Sequence, residues 1–234
     1  GYNSSEWLPQ CVRSIKRQDY ENYTVTYIDD LSTDNSVQLY KNLTDKDKRF
    51  KILINDEKKY ALKNISQAIE SLNAKNNHVI IVLDADDWLS GPNVLSYLNC
   101  FYQENDCWMT YGSYMYYPIG ERGMEPSEYP ENIIANNEYR NDTWRASHLR
   151  TFKKKLWDKI EKKDLVDADG EYYKMSYDQA MMLPMLEMSG EKAKYISEIL
   201  HVYNRANSLN VDKLKRKEQY DTMLRIRAKN KYKR

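Results

Sequence analysis

The apolar run Val79-Ile80-Ile81-Val82-Leu83 stops on Asp84-Ala85-Asp86-Asp87. Aspartates at this spacing are hard oxygen ligands of the kind that suits Mg²⁺ or Mn²⁺, and an ion held there would meet the phosphates of a substrate. The plainer reading is a solvated strand end whose carboxylates cap the helix opening near Pro92. A second acidic pair, Asp29-Asp30, closes another apolar-rich stretch at 23–28 and is followed by Ser32, Thr33 and Asp34.

Strands must deliver these acids. Short Val/Ile/Leu runs bounded by charge read as buried strands of a parallel sheet, and ligands of open α/β sheets collect beyond the carboxyl ends of such strands. The chain predicts a helix led by Asn3-Ser4-Ser5-Glu6 with Leu8, Val12 and Ile15 on one face, a strand at 23–28, and a helix carrying Val37, Tyr40 and Leu43. A strand at 50–54 follows, then a helix of about three turns with the stripe Ala61, Leu62, Ile65, Ala68, Ile69 and Leu72, and a strand at 78–83. This alternation argues for an α/β, doubly wound, mainly parallel sheet flanked by helices. Beyond it come a helix from Pro92 and a strand at 108–117. Residues 118–145 carry Gly120, Gly123, Pro126 and Pro130 among charges and read as a long, mobile, lid-like loop. Helices near 152–160 and from Tyr177, the latter interrupted by Pro184, and a strand at 195–203 complete the pattern. A sheet of this kind opens with a hydrophobic strand ahead of its first helix. That strand is expected to be missing, because the chain starts at Gly1-Tyr2-Asn3.

At 234 residues the chain can bury a sizeable core, and its net charge of +1 gives no global case for nucleic acid. No run reaches the roughly 18 apolar residues of a membrane span. The three cysteines, Cys11, Cys100 and Cys107, have no metal-type spacing and suit a reducing compartment, so a cytoplasmic location is expected.

Taken in order, several pieces carry a resemblance. They are Tyr2-Asn3, Asp29-Asp30 with Ser32 and Asp34-Asn35-Ser36, Lys63-Asn64, Asp84-Ala85-Asp86, the segment from Trp144 through His148 to Arg150, the Asp178 helix, and Tyr203-Asn204-Arg205. The chain resembles nucleotide-diphospho-sugar glycosyltransferases of the GT-A fold, most of all the inverting family 2, whose DXD motif Asp84-Ala85-Asp86 matches.

The resemblance implies a nucleotide-sugar-binding half at 1–115 and an acceptor-side and catalytic-base half at 116–210; beyond it the residues themselves read as a basic C-terminal helix at 211–234. The resemblance also implies donor contacts from Tyr2, Asn3, Asp29, Asp30, Lys63, Asp84 and Arg205, with Mn²⁺ or Mg²⁺ on Asp84 and Asp86. A carboxylate at Asp30, or its neighbour Asp29, accepts well from the imide N–H of uracil, which favours UDP-sugars. Asp178 is implied as the general base that takes the acceptor proton, with Asp167, Asp169 and Glu171 in reserve. The plainer reading of Asp178 is a first-turn aspartate favoured by the helix dipole. Two departures stand out: Tyr177 replaces the glutamate that usually precedes the base, and the histidine that often adds a metal contact after the last strand is missing. Arg150 or Arg205 could pair with a phosphate.

The implied function is metal-dependent, inverting transfer of a sugar to a hydroxyl of a glycan, glycolipid or protein. The alternative is a catalytically decayed sugar- or nucleotide-binding module. The tail has two readings. Val211, Leu214, Met223, Leu224 and Ile226 among Lys213, Lys215, Arg216, Lys217, Arg225 and Arg227 could lie on an anionic membrane surface, giving a membrane-associated protein; the favoured reading is a solvated helix packed on the domain or a frayed terminus.

Overall fold

The computed structural model describes residues 1–208 and 216–234. Two sheets share the architecture. The smaller pairs β1 (Val25–Asp29) in parallel with β2 (Phe50–Ile54). The larger has the order β3-β6-β5-β7-β4, from β3 (Val79–Val82), β4 (Trp88–Leu89), β5 (Met109–Tyr117), β6 (Arg150–Lys153) and β7 (Ala193–Asn204). The α/β class is as expected, but the larger sheet is mixed: β5 and β7 run parallel, while β3/β6, β5/β6 and β4/β7 are antiparallel.

Helices α1 (Leu8–Lys16), α2 (Ser36–Leu43), α3 (Tyr60–Ser71) and α4 (Val94–Glu104) fall where apolar periodicity placed them. Leu62 and Ile69 of the α3 stripe are buried together with Ile80 and Val82 of β3 in the main core. Short helices α5 (Glu131–Asn136), α6 (Lys154–Trp157) and α7 (Lys162–Leu165) precede α8 (Tyr177–Ser189). Every residue of α8 from Gln179 onward is buried, which is why its sequence shows no amphipathic stripe. No described helix is long and apolar enough to cross a membrane.

Two expectations are corrected by packing. The helix foreseen near 152–160 begins only at Lys154, because Phe152 is a fully buried strand residue paired with both Ile80 and Met109. The segment 118–145 is anchored. Arg122 reaches back to the Ser113 hydroxyl (2.6 Å), Gly123 N–H donates to the Tyr114 carbonyl, and Tyr129, Tyr139 and Arg140 are buried at 3%, 1% and 4% exposure. Two tyrosines in the core and a paired arginine outweigh the glycines and prolines that suggested mobility.

The tail packs on the domain. In α9 (Arg216–Arg227) Ile226 is buried, and Arg227 donates to Gln179 Oε1 and to the carbonyl of Arg140. Leu224 is exposed. The expected contributions of Val211, Lys213, Leu214 and Lys215, and of the Arg216 side chain, lie outside the described residues. At the other end, the Gly1 amino group donates to the Ile28 carbonyl (2.7 Å) and Asp30 N–H donates to the Gly1 carbonyl (2.8 Å). A cavity lined by Asp30 beyond β1 and by Asp84 and Asp86 beyond β3 joins the ends of these strands.

Candidate active site

The carboxyl end of β3, the first residue of β6 and the first turn of α8 converge on this cavity. Antiparallel register sets Arg150 opposite Val82, two residues before Asp84. Asp178 is the second residue of α8, which starts after Ser176 in a left-handed conformation (φ 49°). The Ser176 hydroxyl is held by the Gln219 carbonyl of α9. Asp84, Asp86, Asp87, His148, Arg150, Tyr177, Asp178, Tyr203 and Asn207 all line the cavity.

Within this group Arg150 is 3% exposed, with Nη2 3.8 Å from Asp84 Oδ2 and Nη1 3.8 Å from Asp178 Oδ2. The Tyr177 hydroxyl lies 3.2 Å from each oxygen of Asp84. Asn207 Nδ2 donates to Asp86 Oδ2 at 2.8 Å. Asp87 ties the start of β4 to β7: it binds His201 Nε2 and accepts from Asn204 N–H, both at 2.8 Å.

Asp84 and Asp178 thus flank the guanidinium of Arg150, and Asp86 and Asp87 line the same cavity. Burial, then Asp87 and Asp84, push the Asp86 carboxyl up to about 6 against the bond from Asn207. Burial, then Asp84, also raises Asp87. A cluster of partly buried acids is what a divalent cation relieves, so the residues present fit one on Asp84 and Asp86, with the Asn207 amide beside them. Asp87, His148 and His201 also bring one ligand atom each within 4.8 Å of one another. The two imidazoles stack at 4.5 Å with 17° between planes, so their in-plane lone pairs run side by side rather than converging. His148 is held well below the usual histidine range by burial and by Arg150, and it accepts from Arg150 Nη2 at 3.0 Å. His201 lies inside β7 and is bonded to Asp87.

Of the expected donor residues, Tyr2, Asn3, Asp29 and Asp30 gather around the end of β1. Asn3 ties the chain start to the 32–36 loop, accepting from Thr33 N–H (2.8 Å) and donating its own N–H to the Ser32 hydroxyl (2.9 Å). Asp29 accepts from Ser32 N–H at 2.9 Å. Asp30 accepts from Asn55 Nδ2 (2.9 Å), Lys59 N–H (2.7 Å) and Tyr60 N–H (3.0 Å). Burial works against its ionisation, yet these bonds together with Asn64 hold its carboxyl below the usual range. Lys63 pairs with Glu57 at 3.5 Å, away from the cavity wall. Lys58, which no motif marked, does line it, 2.8 Å from the ring centroid of Tyr2. Arg205 is exposed and lies 5.1 Å from the Tyr116 ring. Asp167 accepts from the backbone of Asp169 and Glu171 within its own loop, and none of these three lines the cavity.

The family model "Glycosyl transferase family 2" matches residues 2–168. The chain belongs to this family. Among curated relatives, an uncharacterized glycosyltransferase of Haemophilus influenzae is 33% identical over 117 residues, covering 49% of this chain and 44% of its own length. Glycosyltransferase GlyG of Streptococcus pneumoniae is 32% identical over 116 residues, covering 50% of this chain and 37% of its own length. The matched stretch is therefore less than half of either relative. Among solved structures, S. aureus TarS 1-349 in complex with UDP superposes with a TM-score of 0.65 at 15% identity, covering 97% of this chain and 62% of that one. Mannosyltransferase PcManGT from Pyrobaculum calidifontis, in complex with GDP-Man and Mn²⁺, gives 0.57 at 14% identity, covering 87% and 54%. This family 2 chain shares their α/β fold.

Proposed function

We propose that this family 2 chain carries the active site of a metal-dependent inverting glycosyltransferase that takes its sugar from a nucleotide-diphosphate donor, with UDP-sugars favoured. The supporting observation is the cavity that joins the acids ending β3 to Asp178 of α8, with the donor-side residues Tyr2, Asp30 and Lys58 on the same wall. Relatives named glycosyltransferases and fold neighbours solved with UDP or with GDP-Man and Mn²⁺ support the same reading.

In this reading Asp84 and Asp86 hold the cation. A Mn²⁺ or Mg²⁺ ion there supplies positive charge at the diphosphate leaving group, where negative charge grows in the transition state. Asp30 keeps lone-pair capacity on Oδ2, which receives one protein bond, for the imide N–H of uracil. Asn3 and Asp29 act by bracing the loops around the donor, and Tyr2 and Lys58 form the wall beside Asp30. Asp178 receives the proton of the acceptor hydroxyl as that oxygen attacks the anomeric carbon opposite the leaving diphosphate, which inverts that carbon.

The deciding experiment incubates the purified chain with a panel of nucleotide sugars and Mn²⁺ and measures donor hydrolysis and transfer to glycan, glycolipid and peptide hydroxyls. Metal-dependent turnover of a UDP-sugar with inversion supports the proposal. Tight UDP binding without turnover of any donor makes the chain a binding module instead.

A further inference from the structure

Arg150 is a buried cation placed between two carboxylates with different proposed tasks. One terminal nitrogen faces Asp84 of the donor side and the other faces Asp178, each at 3.8 Å. That distance is too long for a hydrogen bond, so the tie is electrostatic, and burial strengthens it relative to a surface pair. The guanidinium is planar, so its two terminal nitrogens keep a fixed separation and a fixed mutual direction.

Its plane is set from behind. Arg150 Nη2 lies 3.0 Å from His148 Nδ1, His148 stacks on His201, and His201 is bonded to Asp87. Arg150 itself opens β6, whose pairing with β3 fixes it relative to Asp84. Its Nε is buried with no hydrogen-bond partner, a cost that a purely structural arginine would normally avoid.

We propose that Arg150 is a positioning residue for sugar transfer: it sets Asp178 at a fixed distance from the Asp84 end of the donor site, linking base to donor across β3, β6 and α8. This rests on the reading of Asp178 as the base. A base displaced by about 1 Å can cost on the order of 10²-fold in rate, while donor affinity depends on other contacts. A second consequence follows from charge. A cation beside Asp84 opposes metal binding, so its removal leaves metal affinity unchanged or raises it. A merely structural role would lower stability, donor affinity and turnover together.

The test compares Arg150→Gln and Arg150→Lys with the wild-type chain for Mn²⁺-dependent UDP affinity, transfer kcat and melting temperature. Arg150→Gln is expected to lose roughly 10–100-fold in kcat while UDP affinity with Mn²⁺ stays equal or tightens. Arg150→Lys keeps the charge but reaches one carboxylate at a time, so it should recover part of that loss. Should Arg150→Gln fail to fold, Arg150→Lys carries the test, with reduced kcat at undiminished UDP affinity as the supporting result. Wild-type kcat in the folded variants, or affinity and kcat falling in proportion, overturns the proposal. Asp178→Asn is measured alongside. Full transfer by that variant overturns the base assignment itself, whereas its loss combined with wild-type rates in the Arg150 variants overturns this inference alone.

Discussion

Tyr177 and Asp84, 93 positions apart, meet through one hydroxyl that lies 3.2 Å from both carboxylate oxygens. Burial, then Asp84, holds the phenol well above the usual tyrosine range, so it acts as a donor. Tyr177, the residue before Asp178, therefore holds the carboxylate of Asp84 from the start of α8. A hydrogen bond to a charged group is worth about 1.5–3 kcal/mol, so Tyr177→Phe should weaken Mn²⁺-dependent UDP binding by roughly tenfold or more. Calorimetric titration of both proteins checks it; unchanged affinity would show that Asp84 needs no such orientation.

Asp86 makes the metal-free chain pH-sensitive. Its folded-state carboxyl sits at about 6, above the unfolded value, so the native state holds a proton that the unfolded chain has released. Stability without metal should fall as pH rises from about 4 through 6. Asp86→Asn should remove that component and raise the melting temperature near neutral pH by roughly 2–4 °C, the shift given by about 1 kcal/mol in a chain of this size. The same variant should lose stabilisation by Mn²⁺ with UDP, read by thermal melting at several pH values.

Asp178→Asn should retain UDP affinity and lose transfer by about 10²–10⁴-fold, the usual cost of removing a general base. Parallel binding and turnover assays check this. Near-wild-type transfer would move the role to another acid.

Arg140 binds Glu187 through Nε at 2.5 Å and Nη2 at 2.9 Å, both residues being buried, and so fixes the 118–145 segment to α8. Glu187→Gln leaves a buried guanidinium uncompensated and should destabilise the chain by about 3–5 kcal/mol in urea unfolding. The double variant Arg140→Met, Glu187→Leu should recover most of that loss. Hydrogen exchange at the bonded amides of Gly123, Tyr129 and Glu138 should be slow without donor, the opposite of what a mobile lid would give.

The 118–145 segment marks one limit of what composition reveals. Its glycines and prolines are visible in one dimension, but the partners that hold it, Glu187 and the Tyr111 hydroxyl that receives Tyr129 N–H, are distant in sequence. Phe152 illustrates another: its neighbours fit a helix, and only pairing to Ile80 and Met109 made it a strand. Lys58 was overlooked and Lys63 favoured because a motif position cannot say which of two nearby lysines turns toward the cavity.

By itself the sequence determined the α/β class, the buried strand that ends at Asp84 and Asp86, the amphipathic helices α1 to α4 and the family resemblance. Each follows from local periodicity or from an ordered set of short motifs, which neighbouring residues encode directly. Tertiary structure alone decided that Arg150 stands between Asp84 and Asp178, that His201 and Asn204 secure Asp87, and that α9 braces the start of α8. Those relationships depend on the register of β3 against β6 and on a helix buried on every side. Antiparallel pairing leaves no periodic mark that says which strand lies beside which, and a helix without a polar face does not announce its neighbours.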